Sequence, residues 1–142
     1  DATLSEDVLS DSWQKFAGIC AYAGLTAAIR LPIGEIRSTP ETWKMYRRVI
    51  QEVSAVGEAE GIDLPEDLAD YALEVVEGLH PDASSSLHHD LTHDKPMELE
   101  TLHGEVVHRA SGHGIDVPMN EAIYAILRPW TVRLSGEPEI TG

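Results

Sequence analysis

The stretch WQKFAGICAYAGLTAAIRL, Trp13 to Leu31, decides the fold. Beyond Lys15 it is apolar on nearly every side, and a helix of that kind belongs in the middle of a core. Its apolar run, Phe16 to Ile29, is shorter than the roughly 20 residues needed to cross a bilayer. Pro32 ends the helix, and PIGEIRS (Pro32–Ser38) reads as a short helical turn. A central helix needs amphipathic partners, and the rest of the chain supplies them.

Ser38 and Glu41 fit a capping box, and Pro40 suits a first helical turn. The helix they begin carries an apolar stripe at Trp43, Tyr46, Ile50, Val53 and Val56, and Gly61 stops it. IDLPEDLADYALEVVEGLHP (Ile62–Pro81) repeats that grammar. Asp63 and Glu66 are its expected cap partners, and Leu68, Tyr71 or Ala72, Val75 and Leu79 its inward face. SSSLHHDLTHDKPMELETLHG (Ser84–Gly104) divides at Pro96 into a short helix near 85–93 and a longer one near 97–113. Leu99, Leu102, Val106 and Ala110 form the stripe of the second, which the glycines at 112 and 114 end. VPMNEAIYAILRPW (Val117–Trp130) predicts a last short helix, started by Pro118 and stopped by Pro129, with a loose tail. No strand-period segment of useful length and no internal repeat is present. The expected fold is all-α, a single domain over 1–142 built as a compact bundle of about six or seven helices.

Composition narrows the function. A net charge of −15 argues against nucleic acid or an anionic membrane surface as partner. The single cysteine, Cys20, lies inside the apolar run, which rules out a disulfide framework and suits a reducing cytoplasm. The chain shows no signal-peptide pattern, and its opening on Asp1 rather than Met is compatible with a piece cut from a longer protein.

Candidate chemistry is sparse. His88, His89 and His93, with His103 or His108, could be proposed as zinc ligands. Among seven histidines one such spacing arises by chance, so solvated surface histidines are the favoured reading and no metal is expected. Glu98 stands just after Pro96, where a carboxylate complements a helix dipole; on physics alone it is a helix-start residue. Lys15 heads the most apolar helix. It either snorkels outward or is held in a poorly solvated cleft, where burial would make it a usable proton donor. No phosphate loop, nucleophile elbow or G-x-G-x-x-G is present.

The order of features resembles the C-terminal domain of ketopantoate reductases (2-dehydropantoate 2-reductases). Trp13 and Lys15, then Ser85-Ser86-Leu87 with Asp90, Glu98-Leu99 with Leu102 and Gly104, then Gly114, Pro118 and Tyr124 match that family's pattern over nearly the whole chain. The resemblance implies a helical domain like the C-terminal domain of 6-phosphogluconate dehydrogenase. It also implies a separate N-terminal Rossmann domain, absent from this chain, that holds NADPH. The implied reaction is hydride transfer to the ketone of a small 2-oxo acid, a step of pantothenate biosynthesis, in a cytoplasmic homodimer. By the same match Lys15 is the general acid, Ser86 binds the substrate carboxylate, and Glu98 anchors the substrate or cofactor side of the cleft.

The chain also departs from the family pattern. Where the family carries asparagines one and two turns after the lysine, and a polar residue past the helix end, this chain has Ile19, Ala23 and Ile33. A site built to hydrogen-bond a hydroxylated acid does not keep that substrate when its amides become aliphatic. The expectation is a substrate more apolar than ketopantoate, or lost ketopantoate activity. The competing reading is a non-catalytic helical domain kept for packing or oligomer contacts.

Overall fold

The computed structural model describes residues 2–135, with side chains over 6–134. Seven α-helices follow one another among these residues: α1 (Ala2–Ile29), α2 (Ile33–Ser38), α3 (Pro40–Ala59), α4 (Leu68–Glu77), α5 (Ser86–Thr92), α6 (Glu105–His113) and α7 (Pro118–Ser135). A π-helical turn, Glu100–Gly104, leads directly into α6. No described residue lies in a strand. No helix among the described residues is long and apolar enough to cross a membrane.

The central helix is where the sequence puts it. α1 packs on α3, α5, α7 and the π turn, and Ala17, Cys20, Ala21, Leu25 and Ala27 on it are buried. Its small residues let neighbours approach closely: a Cβ on Gly24 would collide with the His103 ring. α1 starts earlier than the apolar run predicts, because its amphipathic first half is tied down by side chains. Trp13 Nε1 donates to the Val53 carbonyl at 2.8 Å, and Ser10 Oγ donates to the Asp63 carbonyl at 2.8 Å.

Both predicted capping boxes are absent. Thr39 rather than Ser38 precedes α3, and the hydroxyls of Ser38 and Thr39 donate to the Glu35 carbonyl, closing α2 instead of opening α3. α4 starts at Leu68, so Asp63 and Glu66 lie in the connection before it. Its inward face is Leu68, Leu73 and Val76, whereas Tyr71, Val75 and Leu79 are 62%, 52% and 37% exposed. Arg37 on α2 fixes this orientation by donating to the carbonyls of Val76 and Leu79 at 3.0 and 2.7 Å, where the end of α4 leaves acceptors unpaired.

Pro129 does not stop α7, which continues to Ser135 through what the sequence predicts as a loose tail. The proline removes one backbone donor, but packing on both sides outweighs it. Leu127 and Thr131 are buried, and the Trp130 ring lies 5.5 Å from the Arg30 guanidinium and 5.4 Å from that of Arg133. At the other end, Glu52 on α3 accepts from the backbone N–H groups of Met119 and Asn120, both at 3.0 Å, so a neighbouring helix caps α7. Residues 136–142 of the expected tail lie outside the described residues.

Candidate active site

Lys15 occupies the exposed side of α1, with Gly18, Ile19 and Tyr22 following it on the same face at spacings of three, four and seven. Small residues bury the opposite side of the helix, so this face is left to border an opening. Across from it runs the outward stripe of α4. Together they line a cleft of 710 Å³ whose walls include Asp11, Lys15, Ile19, Tyr71, Val75 and Leu79. Tyr46 lies beneath as part of the lining; it is fully buried, and its hydroxyl has no hydrogen-bond partner among the described residues. Burial, and then the neighbouring Tyr22, push the Tyr46 phenol well above its ordinary pKa, so it stays neutral. Among the described residues the lining carries Lys15 as its one cation, with Asp11 and Gln14 beside it on α1, and its other walls are mostly aromatic and aliphatic.

Ser86 is the first residue of α5 and is exposed. Its neighbour Ser85 does the structural work. Ser85 Oγ accepts from the His88 backbone N–H at 3.1 Å as the helix cap, and it lies 2.6 Å from Thr26 Oγ1. That contact fixes the start of α5 beside Thr26, about 16 Å beyond Lys15 along the axis of α1. Glu98 is exposed in the non-helical connection before the π turn, so it does not start a helix. The cleft beside Lys15 is lined by neither Ser86 nor Glu98, and no hydrogen bond or ion pair joins the three side chains.

Ile19 is half exposed and lines the cleft, but Ala23 and Ile33 are buried in the core. Of the three aliphatic positions, only Ile19 faces the opening. The residues that sequence reasoning misplaced are Tyr71, Val75 and Leu79. Their helix carries apolar residues on two faces, and periodicity alone does not say which one is covered.

The histidines disperse. The His89 and His93 rings stack at 4.0 Å, and His93 Nδ1–H donates to the His89 carbonyl at 2.8 Å. His103 is fully buried, with Nε2–H donating to the Cys20 carbonyl at 2.8 Å, and His108 is exposed on α6. Among the described residues no group of three or more His, Cys, Asp or Glu side chains is placed to hold a metal. Glu100 rather than Glu98 has partners: Tyr124 Oη–H donates to its carboxylate at 2.8 and 3.0 Å, and Arg128 lies 3.4 Å away.

The profile of the family described as "Ketopantoate reductase PanE/ApbA C terminal" matches residues 7–130. The chain belongs to that family. A 2-dehydropantoate 2-reductase of Caulobacter vibrioides is 35% identical over 122 residues, 86% of this chain and 41% of that protein. One of Shigella flexneri is 31% identical over 129 residues, 90% of this chain and 41% of that protein. Among solved structures, a PanE/ApbA family ketopantoate reductase from Ralstonia eutropha JMP134 superposes with a TM-score of 0.81 at 33% identity, covering 89% of this chain and 42% of that one. The dimeric ketopantoate reductase of Staphylococcus aureus gives a TM-score of 0.85 at 25% identity, covering 89% and 44%. This ketopantoate reductase C-terminal domain thus spans about two fifths of the length of the relatives it matches.

Proposed function

We propose that this domain forms the substrate side of an NADPH-dependent reductase that converts a 2-oxo acid into a 2-hydroxy acid. The observation that carries the reading is Lys15, the cation on the rim of a 710 Å³ cleft whose walls are otherwise largely apolar. The nucleotide belongs to another domain of the full-length protein, because this chain has no glycine-rich phosphate turn. Ser86 and Glu98 are exposed and free to face that domain.

NADPH, when held by the other domain, would supply the hydride that the carbonyl carbon needs. As the ketone's π electrons move onto oxygen, Lys15 Nζ offsets the growing negative charge and gives up a proton there, recovering one from water. Hydride and proton together complete the two-electron reduction to a secondary alcohol. By the family match Ser86 Oγ–H donates to the substrate carboxylate and Glu98 anchors the substrate or cofactor side of the cleft between the domains, although neither lines the cleft beside Lys15. A homodimer agrees with the S. aureus relative, whose structure is described as dimeric. A cytoplasmic setting suits the lone buried Cys20.

The test is NADPH oxidation by the full-length protein with a panel of 2-oxo acids. Lys15→Ala is expected to lower kcat by about 10²–10⁴, the usual worth of a general acid. Unchanged turnover in that variant removes Lys15 from the mechanism.

A further inference from the structure

We infer that the apolar face shared by α1 and α4 is the seat on which the nucleotide-binding half of the full-length protein rests, rather than a pocket for a small molecule. The partner is another segment of the same polypeptide, one that presents aliphatic or aromatic side chains to Val8, Ile19, Tyr71, Val75 and Leu79. The inference rests on the reductase reading for one point, that the hydride donor must come to Lys15. Among the described residues eight large hydrophobic side chains are exposed, and they are not scattered. Ile19, Tyr71, Val75 and Leu79 line one cleft, and Val8 extends its α1 edge, seven residues before Lys15 and eleven before Ile19 on the same side of the helix. α4 meanwhile keeps its acidic residues, Asp70, Glu74 and Glu77, off the cleft lining. On a domain of net charge −15, such a segregated apolar face marks a surface that is covered in the working protein.

The character of the face selects its occupant. A small-molecule pocket encloses its ligand and aims several polar groups at it. Here the apolar side chains stand in the open, and neither Ser86 nor Glu98 lines the cleft. Tyr71 suits an interface, where its ring is covered while its hydroxyl stays at the wet rim. The larger part of the protein lies outside this domain, since the relatives are matched over 41% of their length by what the family profile describes as the C-terminal part. In such a protein the preceding half joins at the start of α1, the helix that carries Val8, Lys15 and Ile19, so it is tethered beside this face and its docking is intramolecular. A second copy is the poorer occupant. Two domains of charge −15 repel one another, and a copy seated over Lys15 would shut out the nucleotide.

The experiment uses the full-length protein carrying Val75→Cys or Glu74→Cys, adjacent exposed positions of α4, one on the seat and one off it. Each thiol is alkylated with a maleimide, its rate followed by mass spectrometry of the labelled peptide and divided by its rate in urea. Cys20 is buried and does not compete. The Val75→Cys thiol is expected to react at least tenfold more slowly than the Glu74→Cys thiol, without added ligand and at every protein concentration. Tyr71→Cys repeats the measurement at a second seat position should thermal unfolding show that Val75→Cys disturbs the fold. Equal rates overturn the inference. Protection lost on dilution makes a second copy the occupant, and protection that appears only with added ketopantoate or 4-methyl-2-oxopentanoate makes the face a ligand pocket; each overturns it as well. NADPH oxidation by the wild type with the 2-oxo acid panel separates the two claims. Protection without turnover of any 2-oxo acid refutes the reductase reading and leaves the seat standing, whereas turnover with equal labelling rates refutes the seat alone.

Discussion

His103 should make this domain acid-sensitive, and the size of the effect can be worked from its surroundings. Nε2 lies 2.8 Å from the Cys20 carbonyl, an acceptor, so the proton of the neutral ring is on Nε2. Nδ1 is then bare, buried and without a partner among the described residues. A second proton would put a charge in the core with nothing to receive it. Burial lowers the pKa to about 4, against a smaller opposing effect of the Cys20 hydrogen bond. In the unfolded chain the ring titrates near its ordinary 6.5, so between pH 6.5 and 4 the unfolded state holds more protons than the native one. Stability from this group is complete above pH 6.5, falls as pH drops through that window, and is level below 4. The loss is about 2 kcal/mol at pH 5 and about 3 kcal/mol at its limit. Urea unfolding at pH 7.5, 5 and 4 measures it, with His103→Gln as the reference, since glutamine can donate to the same carbonyl but does not titrate. The exposed carboxylates contribute equally to both proteins, so the difference isolates the ring. Equal pH dependence in wild type and His103→Gln refutes the account.

Two further outcomes follow from the same packing. Gly24→Ala would drive a methyl group into the His103 ring, and both backbone and ring are fixed by their neighbours; the expected cost is about 1–3 kcal/mol by denaturant unfolding, with any loss of the Cys20 contact adding to it. Ser85 and Ser86 should separate stability from function: Ser85→Ala removes the α5 cap and the Thr26 contact and should cost about 1–2 kcal/mol, whereas Ser86→Ala should stay within about 0.5 kcal/mol of wild type while raising KM for the 2-oxo acid in the full-length protein.

What could be read in advance depended on how local the determining physics is. An all-round apolar helix has one stable setting, so α1 and the bundle around it were legible from WQKFAGICAYAGLTAAIRL alone. The stripes of α3 and of Leu99, Leu102, Val106 and Ala110 were legible for the same reason, although the predicted helix near 97–113 is a π turn from Glu100 followed by α6, with Leu99 just before it. Boundaries set by distant partners were not. Nothing near Pro129 reveals that Trp130 will lie between Arg30 and Arg133, and nothing near Ser38 reveals that its hydroxyl closes the preceding helix. Lys15 was marked by its position on α1, and Ser86 and Glu98 only by the family pattern, because their exposed side chains leave no trace in hydrophobic periodicity.

α4 shows why the cleft itself was hidden. Leu68, Ala72, Val75 and Leu79 make an acceptable inward stripe, and so do Leu68, Leu73 and Val76; the two share Leu68, but Leu73 and Val76 each lie about 100° round the helix from Ala72 and Val75. The choice between them is made outside α4. Arg37, on α2, binds the last carbonyls of α4, and the backbone N–H groups of Ile33 and Gly34 bind the carbonyls of Ala83 and Pro81 at 2.8 Å each. Gly34 is needed for that approach, since a Cβ there would lie 2.8 Å from both Pro81 Cβ and its carbonyl oxygen. With the end of α4 and the following loop clamped to α2, the Leu73 and Val76 face turns inward and the Tyr71, Val75 and Leu79 face turns toward Lys15. The residues that give the cleft its apolar character are thus oriented by a clamp about 40 residues upstream, which no helical periodicity can report.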